Sequence, residues 1–224
     1  MACCQCQGIE TLFNRKRAAK DLRRYRKKGP RKTTRILIDA IRLEGVERTT
    51  VLDIGGGVGA IQHELLKAGA VSATGVDASS GYIEVAKDEA ARQGHAGRVS
   101  YFYGDFVEIA PKISEADIVT LDRVICCYHD METLVKLSSA QARKFYGLVY
   151  PRDSWWMRLL NPFPNFFLWL TRVPFRIYIY SRAEVDAVVH SNGLGQAFYR
   201  KTGLWQVVVY SRSSSIRRDY QFSK

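Results

Sequence analysis

Between Thr50 and Tyr150 short apolar runs alternate with stretches in which apolar residues recur every three or four positions. Val51 to Ile54, Ser72 to Val76, Val99 to Tyr103, Ala116 to Leu121 and Phe145 to Tyr150 read as strands. Ala60 to Ala68, Ser80 to Gln93 and roughly Met131 to Lys144 read as the intervening helices. This βαβ punctuation predicts an α/β fold with five parallel strands. Right-handed crossovers would put helices on both faces, and any ligand crevice would lie at the carboxyl ends of the strands. Upstream, Ile36, Leu37, Ala40, Ile41 and Leu43 have helical spacing, predicting a helix over Thr33 to Leu43 that lies on the sheet. Residues 13–28 form a second, basic helix, ended by Gly29-Pro30 because proline disfavours helix in the residue before it. Downstream, a helix near Arg182 to Ser191 precedes two β-rich runs, Gln196 to Lys201 and Leu204 to Ser211. Thr202-Gly203 joins them as an antiparallel hairpin.

The length, 224 residues, suits one α/β domain, and 46% hydrophobic with 25% charged residues suits a packed core rather than a disordered chain. The net charge of +12 points to anionic partners only until it is located along the chain. Residues 1–36 hold 12 Lys/Arg against Glu10 and Asp21, whereas the other 188 residues carry 22 bases and 20 acids. We therefore divide the chain into a basic N-terminal helical extension, 1–32, and a domain, 33–224, with an aromatic-rich insert at about 153–180. The extension reads as a solvated helix face that also covers a ligand site. An RNA-binding role for it, or contact of the basic and aromatic segments with anionic lipid, stays as an alternative.

The most apolar stretch, Leu159 to Thr171, is bracketed by Arg158 and Arg172 and broken by Pro162 and Pro164. It falls short of the ~18 to 20 residues of a transmembrane helix. Met1 leads into Cys and Gln rather than a basic and then apolar stretch, and the five cysteines are an odd number, so the expectation is a cytoplasmic protein with reduced thiols. Cys3-Cys4-x-Cys6 is too compressed for zinc spacing, no metal site is expected, and Cys126 and Cys127 read as buried free thiols.

Chemistry concentrates at the strand ends. Val51-Leu52-Asp53-Ile54-Gly55-Gly56-Gly57-Val58-Gly59-Ala60 runs from a strand through a glycine turn into a helix. Gly55, Gly57 and Gly59 permit positive φ and close approach of a ligand, next to the free N–H groups that open a helix. The same run satisfies the dinucleotide pattern through Gly55, Gly57 and Ala60, so two enzyme classes remain open at this point. Asp77, in Gly75-Val76-Asp77, fits both as an acceptor for ribose hydroxyls. Gly104-Asp105-Phe106 after the third strand separates them, together with Asp53 ahead of the glycines. A carboxylate there can accept a bond from an adenine amino group, and Phe106 can contact the ring face. Asp53 could equally serve by fixing the glycine loop through backbone N–H bonds.

D-x-G-x-G-x-G, V-D and G-D-F at successive strand ends resemble the class I S-adenosylmethionine-dependent methyltransferase family over roughly residues 33–150. The resemblance implies a Rossmann-like seven-stranded sheet of order 3-2-1-4-5-7-6 with strand 7 antiparallel. It implies that Gly55, Gly57 and Gly59 line the methionine part of the cofactor, that Asp77 holds the ribose, and that Asp105 and Phe106 hold the adenine. Ala78 and Asp122, beside these at strand ends, complete the expected cofactor set.

Methyl transfer from a sulfonium is an in-line displacement, so a protein must align the acceptor and, where needed, remove a proton. The loop Asp122 to Asp130 points toward the transferred methyl in this family. It makes His129 the candidate base, with Tyr128 or Asp130 to orient it. The loop lacks the N/D-P-P-Y sequence of amino-group DNA methyltransferases, and Ile125 stands where covalent pyrimidine chemistry expects proline before cysteine. Aromatic residues between Trp155 and Tyr180, with Tyr150-Pro151-Arg152, make the arrangement similar to the magnesium-protoporphyrin O-methyltransferase group. The acceptor expected is a small, apolar or aromatic molecule, the alternative an RNA.

Overall fold

The computed structural model describes residues 4–160, 162–170 and 174–212. The apolar runs form β1 (Thr50–Ile54), β2 (Ser72–Asp77), β3 (Val99–Tyr103), β4 (Ala116–Asp122) and β5 (Ala142–Pro151), each parallel to its neighbours. The terminal hairpin supplies β6 (Leu194–Thr202) and β7 (Trp205–Arg212), with β7 antiparallel to both β5 and β6. The sheet order is β3-β2-β1-β4-β5-β7-β6, as the resemblance implied.

Alternation along the strands divides the core in two. Val51, Ile118, Phe145, Val149 and Val207 pack against Leu37 and Ile41 of α3 (Lys32–Glu44) and Ile61 and Leu65 of α4 (Ala60–Lys67). Leu52, Val119, Leu121, Leu148 and Val208 face the other way, onto α6 (Phe106–Ile109), α7 (Met131–Ala140) and α10 (Arg182–Ser191). Each such side chain contributes about 1.5–3 kcal/mol by leaving water.

The remaining helix of the parallel half, α5 (Ser80–Arg92), carries the basic helix α2 (Arg15–Lys28). Ala18, Leu22 and Tyr25 of α2 recur at i, i+4 and i+7 and pack on Val58, Tyr82 and Val85. Around this seam Arg26 donates to Glu89 at 2.7 Å and Tyr82 donates to Asp21 at 2.7 Å.

Three features depart from the sequence reading. The helix expected to Lys144 ends at Ala140, and β5 already begins at Ala142. Lys144 belongs to the amino-terminal end of β5, where its ammonium lies 3.3 Å from Asp117 of β4. An unanticipated helix, α1 (Cys4–Leu12), precedes α2. The aromatic insert is itself helical, as α8 (Trp155–Leu160) and α9 (Pro162–Leu170). Pro162 opens α9, where its missing N–H costs no helical hydrogen bond. No helix among the described residues is long and apolar enough to cross a membrane. Cys3, Thr171 and Arg172 lie outside the described residues, as do the side chains of Cys4, Cys6, Arg158 and Pro164.

Candidate active site

The turn after β1 has the conformation its glycines anticipate. Gly55, Gly57 and Gly59 all have positive φ, of 63°, 56° and 79°. A Cβ on Gly55 would fall 2.4 Å from Val124 Cγ2, so the position excludes any side chain on steric as well as torsional grounds. Asp53, just before the turn, is 1% exposed. Strand register sets Thr120 of β4 beside it, and the Thr120 hydroxyl donates to Asp53 Oδ1 at 2.7 Å. Gln62, on α4, donates its amide to Oδ2 at 3.1 Å. Side-chain donors, rather than the backbone N–H groups considered from sequence, therefore hold this carboxylate. Burial pushes its pKa up to about 7 against the lowering effect of those two bonds.

Asp77 closes β2 on the other side of the turn. It accepts the Gly57 N–H at 3.1 Å and the Ser79 N–H at 2.9 Å, which ties the glycine turn to the start of α5. Burial raises its pKa to about 6, opposed by these backbone bonds. Asp105 caps α6 through the Val107 N–H at 3.0 Å and also accepts the Tyr128 hydroxyl at 2.9 Å. Phe106, the first residue of α6, is buried beside it.

Asp122 ends β4. Its Oδ2 accepts the Thr34 hydroxyl, while its Oδ1 is buried without a hydrogen-bond partner among the described residues. Burial raises its pKa, and the Arg123 guanidinium, 3.8 Å away, acts in the opposite sense.

One cavity of about 790 Å³ gathers these groups. Its strand-end part is lined by Asp53, Gly55, Gly56, Gly57, Asp77, Ala78, Asp105, Phe106 and Asp122; of the residues expected at a cofactor only Gly59 is not in the lining, and it lies against Gln62 and His63 instead. The second half is mostly apolar, with Val124, Met157, Leu168, Ile177, Leu204 and Trp205. Arg17 and Arg24 of α2 also line it, and no carboxylate among the described residues pairs with either. Arg123 lies over the Trp205 ring at 4.8 Å.

The basic extension thus covers the cavity. It is held there by a close approach at Gly8, whose Cβ would lie 2.2 Å from the Pro174 carbonyl oxygen, and by Phe13, whose ring centre is 6.0 Å from that of Phe175.

The structure does not bring His129 to this cavity. The chain makes a tight turn at Ile125–Cys127 and sends Tyr128 inward to Asp105, which leaves the next side chain, His129, exposed. The His129 backbone carbonyl accepts the Tyr180 hydroxyl at 3.0 Å. Cys126 and Cys127 do line the cavity as free thiols, with sulfurs 3.7 Å apart. Sequence reasoning passed over Thr34, Gln62, Thr120, Arg17 and Arg24. Only Thr120 carried a local signal, being polar at a centre of the otherwise apolar run Ile118-Val119-Thr120-Leu121.

Comparison with known proteins bears on this geometry. Residues 51–143 match the family model of a methyltransferase domain. No curated protein matches the chain. Among solved structures, magnesium protoporphyrin IX methyltransferase from Synechocystis with bound SAH is similar over 81% of this chain and 82% of its own, at 18% identity and a TM-score of 0.67. A putative sarcosine dimethylglycine methyltransferase from Galdieria sulphuraria is similar over 82% and 86%, at 14% identity and a TM-score of 0.66. A putative RNA methyltransferase from Pyrococcus horikoshii is similar over 80% and 83%, at 14% identity and a TM-score of 0.58.

These structural likenesses speak to the fold, and the differing names choose no acceptor. Sheet order, glycine turn and strand-end carboxylates define a class I methyltransferase of Rossmann-like architecture. Residues 51–143, which carry that same edge, match the methyltransferase-domain model, and such a domain takes its methyl group from S-adenosylmethionine. The dinucleotide oxidoreductase left open by the glycine pattern is set aside.

Proposed function

We propose that the chain methylates an ionised oxygen on a flat, apolar small molecule, with residues 1–32 acting as cover on the domain 33–224. The observation that carries this reading is the two-part cavity. Carboxylates at the strand ends share one space with apolar side chains and with Arg17 and Arg24, neither of which pairs with an acid among the described residues, Arg17 lying over the Phe13 ring at 4.8 Å.

The first half suits S-adenosylmethionine. Gly57 leaves its Cβ position open beside the cavity, and the Asp122 Oδ1, without a hydrogen-bond partner among the described residues, is an acceptor for a cationic donor such as an α-amino group. Asp77 retains lone pairs for ribose hydroxyls beyond its two backbone bonds. Asp105 takes the adenine amino group with Phe106 against the ring, and Tyr128 fixes the Asp105 rotamer through its hydroxyl. The carboxylates among the five aspartates that line the cavity also favour a sulfonium over its neutral product. When bound, the cofactor supplies an electrophilic methyl group.

The second half sets the acceptor. No imidazole lines the cavity among the described residues, whereas arginines do. Arg17 and Arg24 would hold an acidic oxygen already in its charged, nucleophilic form and fix its approach, so that alignment replaces proton removal. Leu204, Trp205, Ile177 and Leu168 would contact the apolar body.

Calorimetry with S-adenosylmethionine, followed by transfer of a labelled methyl group to an acidic, lipid-soluble metabolite fraction, tests the reading. A labelled product cleaved by mild alkali, as a methyl ester is, is the expected result. An alkali-stable label on amines or on RNA would overturn it.

A further inference from the structure

We propose that the outer face of α8 and α9 docks onto an anionic lipid bilayer, with the basic stripe of α2 as its electrostatic flank. Trp155, Leu159, Phe163, Phe167, Trp169 and Leu170 are each 61–77% exposed, all within sixteen residues of chain. Soluble monomers rarely leave so large a contiguous apolar patch bare. The face is fixed in place: Asn165 accepts the Ile177 N–H at 2.8 Å and donates to its carbonyl at 2.9 Å, which fastens α9 to the following segment. Nor is it a core face turned outward, because Met157 and Leu168 on the same two helices already line the cavity. Its content of Trp and Phe is that of a surface lying in the headgroup region, where aromatic rings are favoured. α9 has 9 residues, about 13 Å of helix, so it can lie in the interface and cannot span it.

Charge selects the occupant. Lys16, Lys20, Arg23 and Lys27 recur at i, i+4, i+7 and i+11 on α2, are exposed, and pair with no acid among the described residues. At about 100° per residue this stripe lies opposite the buried Ala18, Leu22 and Tyr25 and next to the cavity-lining Arg17 and Arg24. The basic stripe and the aromatic face therefore flank one cavity, an arrangement complementary to a surface that is apolar at depth and anionic above. A second copy of the chain would match the aromatic face but would bring two basic stripes together. RNA would match the stripe but leave the aromatic face in water. An active site covered by lipid-facing elements would receive a lipid-soluble acceptor without its crossing water, yet the docking itself is measured without any acceptor.

Flotation of the full chain with phosphatidylcholine vesicles, with and without about one-third phosphatidylglycerol, tests the proposal. The chain is expected to float with the anionic vesicles, with a blue shift of tryptophan emission. The combined substitution Trp155→Ser, Phe163→Ser and Trp169→Ser should weaken vesicle affinity at least about tenfold. Lys20→Glu with Lys27→Glu should abolish the preference for phosphatidylglycerol. Leu43→Ser, an equally exposed position on α3, should change nothing, and unchanged S-adenosylmethionine affinity reports that each variant is folded. The proposal is overturned if the folded chain stays in the soluble fraction with both vesicle types, or if the aromatic variant floats as well as the parent. It is equally overturned if the aromatic substitutions dissolve a dimer, or the basic ones release RNA, while no vesicle is bound.

Discussion

Replacing Asp53 by Asn should make the protein more stable at neutral pH and flatten the pH dependence of that stability. Burial raises the Asp53 pKa from 3.8 to about 7, so the folded protein holds this proton more tightly than the unfolded chain does. Stability from this group is therefore fully present below pH 3.8, falls as pH rises, and reaches its lowest, constant level above pH 7. Three units at about 1.4 kcal/mol each make the loss about 4 kcal/mol, of which about 2 kcal/mol falls between pH 5 and 7. Asn keeps the shape and the acceptor for Thr120. Gln62 can turn its amide so that Oε1, now without a partner, accepts the new N–H. Urea unfolding of both proteins from pH 5 to 8 measures the difference, and the raised carboxyls of Asp77 and Asp122 are common to both chains. Two stability curves that stay parallel across this window would refute the reasoning.

Gly55→Ala should abolish cofactor binding and lower stability by about 2–4 kcal/mol, from the positive φ together with the overlap on Val124; adding Val124→Ala should recover part of the stability in thermal denaturation. Asp77→Ala should weaken S-adenosylmethionine binding by about tenfold to a hundredfold in calorimetry, since hydrogen bonds to a charged acceptor are lost. Tyr128→Phe should reduce cofactor affinity by removing the hydroxyl that holds Asp105, whereas His129→Ala, outside the cavity, should leave turnover near that of the parent. Arg24→Gln should raise the acceptor KM while cofactor affinity is retained, as steady-state kinetics with both substrates would show.

The strands were legible because parallel strands buried on both faces read as apolar runs, and Val51 to Ile54 or Ala116 to Leu121 have no competing helical period. Their order was not in the periodicity and came through the motif resemblance alone. The boundary at Ala140 was lost because Ala142, Arg143 and Lys144 continue a helical pattern, while the amino-terminal end of β5 beside Asp117 claims them. Helices α8 and α9 were hidden by Pro162, which reads as a breaker until it is seen to open a helix. At the site, Asp53, Asp77, Asp105 and Asp122 stood out as strand-end carboxylates. Their partners did not, because Thr34 meets Asp122 across 88 residues and Thr120 meets Asp53 across 67, through register that no local pattern encodes. His129 was visible as chemistry, but its direction depended on which of two adjacent side chains the turn at Ile125–Cys127 sends inward.

The two halves of the cavity are built by different physics, and this decides which of them can change. The cofactor half rests on the centre of the sheet, where Leu52, Val119 and Leu121 are fully buried and moving a strand would expose them all. The cover is fastened differently. Glu10 accepts from Ser80 at the head of α5, Asp21 from Tyr82, and Glu89 from Arg26, so polar bonds supplement the small apolar seam of Ala18, Leu22 and Tyr25. Such bonds exchange for water at about 0.5–1.5 kcal/mol each, far less than the cost of opening the core. The same division explains why this part of the cavity is so weakly written in the sequence: Arg17, Leu168, Ile177 and Trp205 lie far apart along the chain and meet only once the sheet has folded beneath them.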